Sequence, residues 1–475
     1  MSTKILARDE EKAILEKLLA SSQSEFVAVH GRRRVGKTYL IRQQFEAQIV
    51  IEICGDHNKN TGEQLENFKN AMNSHFKKTT HVKAKHWSEA FVQLGDAVAK
   101  VKSKQKKVIF FDELPWLDSP KSGFLSSLGY FWNTWATKRN DIVLVVCGSA
   151  ASWMIKNIIN NTGGLHNRIT QQINLQPLTL KETSDYLAAN NVKLNNYQLV
   201  QLYMAIGGIP EYLNYIQPGH SATQSIEQLY FKKNGRLTYE FENLYSALFE
   251  NSELHVAIIL LLAKHKYGLS RTAIITKLAL KSGKRITKVL FELEQSGFIA
   301  AKIPYNKTSY STIYQLIDEF SLFYLKFIYQ KKLATTSWML LANTPSYKSW
   351  CGFAFEALCT KHIAQIKNAL QIGGIHSYES TWQGGTPNAT AQVDLLLDRN
   401  DNTINLFEIK YYNKPFEITK KYAIELQQKI NIFRAETKTK KVIFCTAISI
   451  YGFATNQYSI GLIDNQLLID DLFSS

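Results

Sequence analysis

Phe26-Val27-Ala28-Val29-His30 runs directly into Gly31-Arg32-Arg33-Arg34-Val35-Gly36-Lys37-Thr38, and the reading of this stretch decides the fold of the N-terminal part of the chain. The first five residues form an apolar run of strand length, and the next eight match G-x-x-x-x-G-K-[ST] at every fixed position. The pattern has a physical basis. Its glycines let backbone N–H groups wrap a phosphate, Lys37 reaches the β and γ phosphates, and the Thr38 hydroxyl binds Mg²⁺. Thr38 to Phe45 reads as a helix, whose N-terminal end adds its positive dipole to the same anion site. Gly31, Arg32, Arg33, Arg34, Val35, Gly36, Lys37 and Thr38 are therefore the expected nucleotide cradle.

Working outward, Asp9 to Leu19 has the spacing of an amphipathic helix. Ile49 to Ile53, Val108 to Phe111, Ile142 to Cys147 and Ile169 to Leu175 read as further strands. Helical patterns separate them, which implies a parallel sheet covered on both faces. The third strand ends in Asp112-Glu113. An acid in that place holds Mg²⁺ in P-loop ATPases, so Asp112 joins Thr38 as an expected metal ligand, and Glu113 is expected to polarise the attacking water. Ser149 closes the next strand, within reach of the γ-phosphate or the water. Arg168, ahead of the fifth strand, is a candidate finger on the nucleotide of a neighbouring subunit, or else a surface arginine.

After Pro177 the pattern turns helical as far as Phe249. Glu253 to Leu316 then reads as three helices and a β-hairpin. Between Lys264 and Lys307 stand ten Lys or Arg and two acids. Lys284, Arg285 and Lys288 project from the N-terminal half of the second helix in this segment, while Ile286, Val289, Leu290 and Leu293 face inward. The layout resembles a winged helix. In helix-turn-helix proteins that half of the helix enters the major groove, and such cations meet phosphates. The alternative is a module that contacts protein.

From Trp350 a helix carrying Glu356 precedes strands Gln392 to Leu397 and Ile404 to Ile409, the helix Thr419 to Ala435 and the strand Lys441 to Thr446. Asp394 lies inside the first strand and Glu408-Ile409-Lys410 ends the second. Strand side chains alternate faces, so Glu408 and Lys410 point the same way. With Asp394 beside them they form the D…E-x-K layout of the PD-(D/E)xK nucleases. There Asp394 and Glu408 would hold a divalent ion, Lys410 would act on the attacking water, and Glu356 would join the site. Lys420, Lys421 and Gln428 are lesser candidates.

Gly31 to Thr38, Phe111-Asp112-Glu113, Cys147-Gly148-Ser149 and Gly207-Gly208-Ile209-Pro210, in this order and spacing, resemble the archaeal-type ATPase family, which lies near the AAA+ and STAND ATPases and the archaeal origin-recognition proteins. The resemblance spans about residues 1–230. It implies an αβα core with a helical lid, ATP or dATP with Mg²⁺ as cofactor, and a possible homo-oligomer; Arg8 matches a position near the adenine. Residues 350–475 resemble the restriction-endonuclease-like domain found at the C-terminus of these same ATPases. The expected organisation is an α/β protein with four parts. A P-loop ATPase core spans 1–178, a helical lid 179–250, a winged-helix domain 251–340 and a nuclease-like domain 350–475.

Composition agrees with a globular protein of several cores: of 475 residues, 45% are hydrophobic and 20% charged. The net charge of +16 favours a polyanionic partner, most simply DNA. Cys54, Cys147, Cys351, Cys359 and Cys445 show neither C-x-x-C pairing nor zinc spacing. The longest apolar runs, including His255 to Ala263, are too short to span a bilayer. A cytoplasmic protein with no membrane partner is expected. Two functions fit: an ATPase that binds and cleaves DNA, or an ATP-binding regulatory switch with a C-terminal domain that does not cut.

Overall fold

The computed structural model describes residues 7–76, 84–249, 251–281, 283–331, 337–342, 344–386 and 389–474. They divide into two compact units, Met1–Pro177 and Leu178–Ser475.

In the first unit, helix α1 (Asp9–Ala20) precedes β1 (Glu25–His30), α2 (Lys37–Gln44) and β2 (Ile49–Cys54). Helices α3 (Thr61–His75) and α4 (Trp87–Lys100) lead to β3 (Lys107–Asp112), β4 (Ile142–Gly148) and β5 (Gln171–Asn174). The sheet order is β2-β3-β4-β1-β5, and every pairing is parallel. β1, β3 and β4 are buried along their whole length, which is why they read as unbroken apolar runs and not as alternating ones. One face of the sheet packs Phe26, Ile109 and Phe111 against α4 and the helix Phe124–Thr134. Trp87 is 1% exposed, with its ring edge-on to Phe124 at 4.8 Å. β5 starts two residues later than the apolar pattern suggests. Arg168 N–H is turned back to the Leu165 carbonyl, and pairing with β1 begins only at Gln171.

The second unit opens with helices Leu180–Ala189 and Asn196–Ile206. The first of these is capped reciprocally by Thr179 and Glu182. Helices Glu253–Ala263, Arg271–Lys277 and Lys284–Gln295 follow, with a small antiparallel sheet of β6 (Leu269–Ser270), β7 (Ile299–Lys302) and β8 (Ile313–Leu316). Ile286, Val289, Leu290 and Leu293 are all buried, so the apolar stripe of the third helix faces inward as its spacing requires.

Beyond helix Pro345–Lys361 lies a five-stranded mixed sheet of order β13-β12-β11-β10-β9. Its strands are β9 (Ser377–Thr386), β10 (Ala389–Arg399), β11 (Thr403–Lys410), β12 (Val442–Ser449) and β13 (Asn465–Leu468). β9, β10 and β11 form an antiparallel meander; helix Lys420–Thr437 then crosses over to β12, which runs parallel to β11. β10 and β11 are longer than the apolar runs that announce them, and β9 and β13 have no such runs. β9 slips register by one against β10: Val393 faces Trp382 but Leu396 faces Ser380. Asp394 and Leu395 therefore share a bulge opposite Thr381, a device that re-aims a side chain.

Replacing Trp87 by Ala should cost about 3–5 kcal/mol, the range for a large buried aromatic. Guanidinium unfolding of the full chain should show the first unit losing structure earlier while the transition of the second stays in place. A variant that unfolds like the parent would put Trp87 outside the core.

Candidate functional site

The phosphate loop is shaped by its glycines. Gly31 has φ +144°, and a Cβ there would lie 2.3 Å from the Leu175 carbonyl oxygen; Gly36 has φ +93° and caps α2. Both positions need a residue without a side chain. Lys37 is buried and turns back over the loop, donating to the Gly31 carbonyl at 3.1 Å, the Arg32 carbonyl at 3.0 Å and the Ser149 hydroxyl at 3.2 Å. Burial lowers its pKa, against the raising effect of Glu113, Cys147 and Asp112. Arg8 reaches the same loop, its guanidinium donating to the Val35 carbonyl at 3.3 Å.

Three parallel strands deliver the remaining groups to this end of the sheet. Asp112, at the end of β3, accepts the Thr38 hydroxyl at 2.9 and 3.1 Å. Cys147, from β4, donates its thiol to the same carboxylate at 2.7 Å. Burial, with Asp112 beside it, pushes that thiol well above its ordinary range, so it stays protonated as a donor. Burial also raises Asp112, while the hydrogen bonds from Cys147 and Thr38 hold it down. Glu113 sits in the left-handed region at φ 46°. Its carboxylate receives both the N–H and the hydroxyl of Ser149, at 3.0 and 2.5 Å. Ser149 thereby joins Lys37 to Glu113. His30 is held to about 4 by burial and by Lys37, and is neutral at ordinary pH.

Arg168 stands apart from this group. It is exposed and precedes β5, at the end of the sheet opposite the phosphate loop. It cannot reach the loop of its own chain without breaking β5. A Thr hydroxyl and a carboxylate are the hard oxygen donors that Mg²⁺ takes when substrate phosphates complete its shell, so Thr38 and Asp112 fit that ion.

In the second unit, Glu356, Asp394, Glu408 and Lys410 line one cleft of about 480 Å³, together with Gln428. The antiparallel β10–β11 pairing runs from Asp398–Ile404 to Leu396–Leu406, and the residues just beyond it on the two strands, Asp394 and Glu408, line the same cleft. Each acid already has a partner. Glu408 pairs with Lys429 at 2.7 Å and Lys410 at 2.8 Å, and accepts a short hydrogen bond from the Tyr422 hydroxyl. Glu356 pairs with Lys266 at 2.9 Å, and Asp394 accepts from Gln392 at 2.8 Å. Among the described residues no three His, Cys, Asp or Glu side chains gather as a metal-binding group. As arranged, Asp394 and Glu408 do not fit a divalent ion.

Lys266, Lys429 and Cys147 escaped the sequence reading. Lys429 could have been found: it stands on the buried stripe of its helix between Leu426 and Phe433, where a lone cation needs a partner. Cys147 ends an apolar run and looks like any buried thiol. Lys266 was counted with the cations facing DNA. Of those, Lys264, Lys277, Lys281, Arg285, Lys288 and Lys307 are exposed, whereas Lys266 and Lys302 turn toward the acids of the C-terminal sheet. Lys284 starts its helix, and its side chain lies outside the described ones.

Residues 6–216 match a family described as an ATPase domain predominantly from Archaea. The uncharacterized protein MJECL04 of Methanocaldococcus jannaschii is 24% identical over 434 residues, covering 89% of this chain and 91% of its own. The Walker-type ATPase PABY2304 of Pyrococcus abyssi is similar in structure, with a TM-score of 0.50 and 19% identity over 68% of this chain and 96% of that one. The Aeropyrum pernix ORC2 protein gives a TM-score of 0.41 at 15% identity, over 70% of this chain and 96% of its own. The first part of the chain is thus similar to an archaeal-type ATPase domain, and its fold to that of Walker-type ATPases. Among the described residues no helix is long and apolar enough to cross a membrane.

Glu113→Gln should still bind ATP, because Lys37, Thr38 and Asp112 are untouched, but turnover should fall roughly 10²–10⁴-fold, the usual worth of a positioned acid–base group. Filter binding and phosphate release separate the two effects, and unchanged turnover would remove Glu113 from that role.

Glu408 is raised by burial but lowered further by Lys429 and Lys410, to about 2 from an ordinary 4.5. Its folded value lies below its unfolded one, so its stabilising contribution is complete above about pH 4.5 and is lost as pH falls toward about 2. Glu408→Gln strands two lysines and should cost about 3–5 kcal/mol at neutral pH. It should also flatten the loss of stability across that acid window in denaturant titrations. An acid profile that overlays the parent's would show the carboxylate to be unpaired in solution.

Proposed function

We propose that this chain is a Mg²⁺-dependent ATPase whose second unit binds DNA and cleaves it. The observation that carries the reading is the hydrogen-bonded group of Lys37, Thr38, Asp112, Glu113 and Ser149 at one end of the parallel sheet. Lys37 and the loop N–H groups hold the triphosphate. Thr38 and Asp112 would hold Mg²⁺, which supplies charge stabilisation on the phosphates. Glu113 orients the attacking water once Ser149 shares or releases its carboxylate, and the Lys37–Ser149 bond makes that release sensitive to a phosphate that draws Lys37 away. Arg168, exposed and distant from its own loop, would serve the nucleotide of another copy of the chain.

DNA contact is supported by the exposed cations Arg285 and Lys288 on the third helix of the middle segment; the Lys288 side chain is 74% exposed and only loosely paired with Glu292, at 3.6 Å. Cleavage is supported by the meeting of Glu356, Asp394, Glu408 and Lys410 in one cleft beside a strand bulge. The helix–meander–helix–strand order from Pro345 to Ser449 is the frame that the PD-(D/E)xK resemblance calls for. A specific observation favours a second reading. Because lysines already neutralise Glu356 and Glu408, the unit can also act as a nucleotide-controlled switch that holds DNA or protein without cutting.

Incubation of the purified chain with plasmid, single-stranded and branched DNA, with Mg²⁺ or Mn²⁺ and with or without ATP, separates the readings. Asp394→Ala and Lys410→Ala should each abolish cutting and leave ATP hydrolysis largely intact, whereas Lys37→Ala should abolish nucleotide binding. Changing Lys284, Arg285 and Lys288 together to Ala should weaken duplex binding and flatten its salt dependence by about three units of slope at most. Cutting that survives Asp394→Ala would be a contaminant's, and no cutting under any condition leaves the switch.

A further inference from the structure

The acidic cleft is closed by a residue from outside the sheet that builds it. Lys266 lies in the turn after helix Glu253–Ala263, and its carbonyl accepts from Gln315 of β8 at 2.8 Å. Its ammonium sits 2.9 Å from Glu356, 5.1 Å from the centre of the Tyr267 ring and 5.6 Å from that of Phe353. Such ring faces hold a cation in place. Burial and then the neighbouring Asp394 raise the pKa of Glu356, and Lys266 lies in the field of both acids. A second lysine of the same segment, Lys302 on β7, is half-buried and lines a cavity with Glu379 and Asp394, with no ion pair among the described residues. The segment is also anchored by backbone. Tyr305 N–H donates to the Thr381 carbonyl at 2.8 Å, directly opposite the Asp394–Leu395 bulge, and the Tyr305 ring lies 5.4 Å from that of Phe433.

Two acids that repel across a partly buried cleft need a cation between them. We propose that Lys266 is that cation: an ammonium supplied in cis by the basic middle segment, which occupies the charge position of a divalent ion beside Glu356 and Asp394 and keeps metal out of the cleft until the segment withdraws. This explains why three acids line one cleft without forming a metal group. The inference rests on the reading of Glu356 and Asp394 as part of a divalent-ion site, but it does not require that the site cut DNA.

The test is Mn²⁺ binding to the full chain without nucleotide, followed by the electron spin resonance of the free ion. Lys266→Met keeps the apolar stem against Tyr267 and Phe353 and removes the charge, so the fold should survive, with circular dichroism as the check. Mn²⁺ should bind at least about tenfold more tightly than to the parent, equivalent to about 1.4 kcal/mol. The gain should vanish in Lys266→Met/Glu356→Gln, which assigns it to this cleft and not to Thr38 and Asp112. Lys266→Arg, which keeps the charge, should bind Mn²⁺ as weakly as the parent. Equal affinity in the parent and Lys266→Met, including no binding by either, overturns the proposal, as does a gain that survives Glu356→Gln. Cleavage assays on the same proteins keep the two readings apart. A gain in Mn²⁺ binding with no cutting leaves the clamp standing and removes the nuclease, whereas cutting by the parent with no gain in Lys266→Met does the reverse.

Discussion

The parallel pairing of β1 with β4, and of β4 with β3, is the constraint on which the nucleotide site depends. Parallel strands end on the same side of a sheet, so whatever follows each strand is brought to one edge. His30 is level with Gly148 in that pairing, and Phe111 with Val146. The phosphate loop, Asp112 and Ser149 thus come within hydrogen-bond reach although more than a hundred residues separate Lys37 from Ser149. Burial does the rest. With β1, β3 and β4 wholly enclosed, the polar groups at their ends pair with the loop carbonyls and with one another in a connected set: Lys37 with Ser149, Ser149 with Glu113, the Glu113 N–H with Asp112, and Thr38 and Cys147 with Asp112.

The second unit solves the opposite problem. There the charges are alike, and the sheet has no glycine loop to bring in an anion. Three acids converge because the neighbouring strands β10 and β11 bring Asp394 and Glu408 to one cleft and a helix lays Glu356 along it. Buried carboxylates of this kind must be protonated, paired or bound to metal. The chain pairs them, with Lys410 and Lys429 on Glu408 and Lys266 on Glu356. The partners of Glu408 come from its own strand and from the neighbouring helix, and belong to the domain's permanent structure. The partner of Glu356 comes from a different segment of the chain.

How much of this was legible in the sequence follows from the range of the interactions. The phosphate loop could be read because its requirements are local: positive φ at Gly31 and Gly36, and a lysine and a threonine at the start of a helix. The buried strands of the first unit announced themselves as apolar runs. β9 did not, because Ser377-Tyr378-Glu379-Ser380-Thr381-Trp382-Gln383-Gly384-Gly385-Thr386 is mostly half-buried or exposed; only pairing with β10 makes it a strand. The aspartate, glutamate and lysine of the second site could be named because strand alternation is also local. Their ion pairs could not. Nothing near Lys266 in sequence distinguishes it from the lysines beside it that face solvent, and its role is set by Glu356, ninety residues away.

The bulge at Asp394 bears on how such a domain ages in evolution. Val393 and Leu396 both pack into the cluster around Trp382 and Phe433 because the extra residue resets the phase of β10. Deleting either Asp394 or Leu395 would leave Val393 and Leu396 two positions apart on one face of a regular strand, so the packing needs no kink. A lineage that lost the use of its acid could therefore straighten the strand by a single deletion and keep its core. Among descendants the kink itself, and not only the letter it carries, is the record of continued employment.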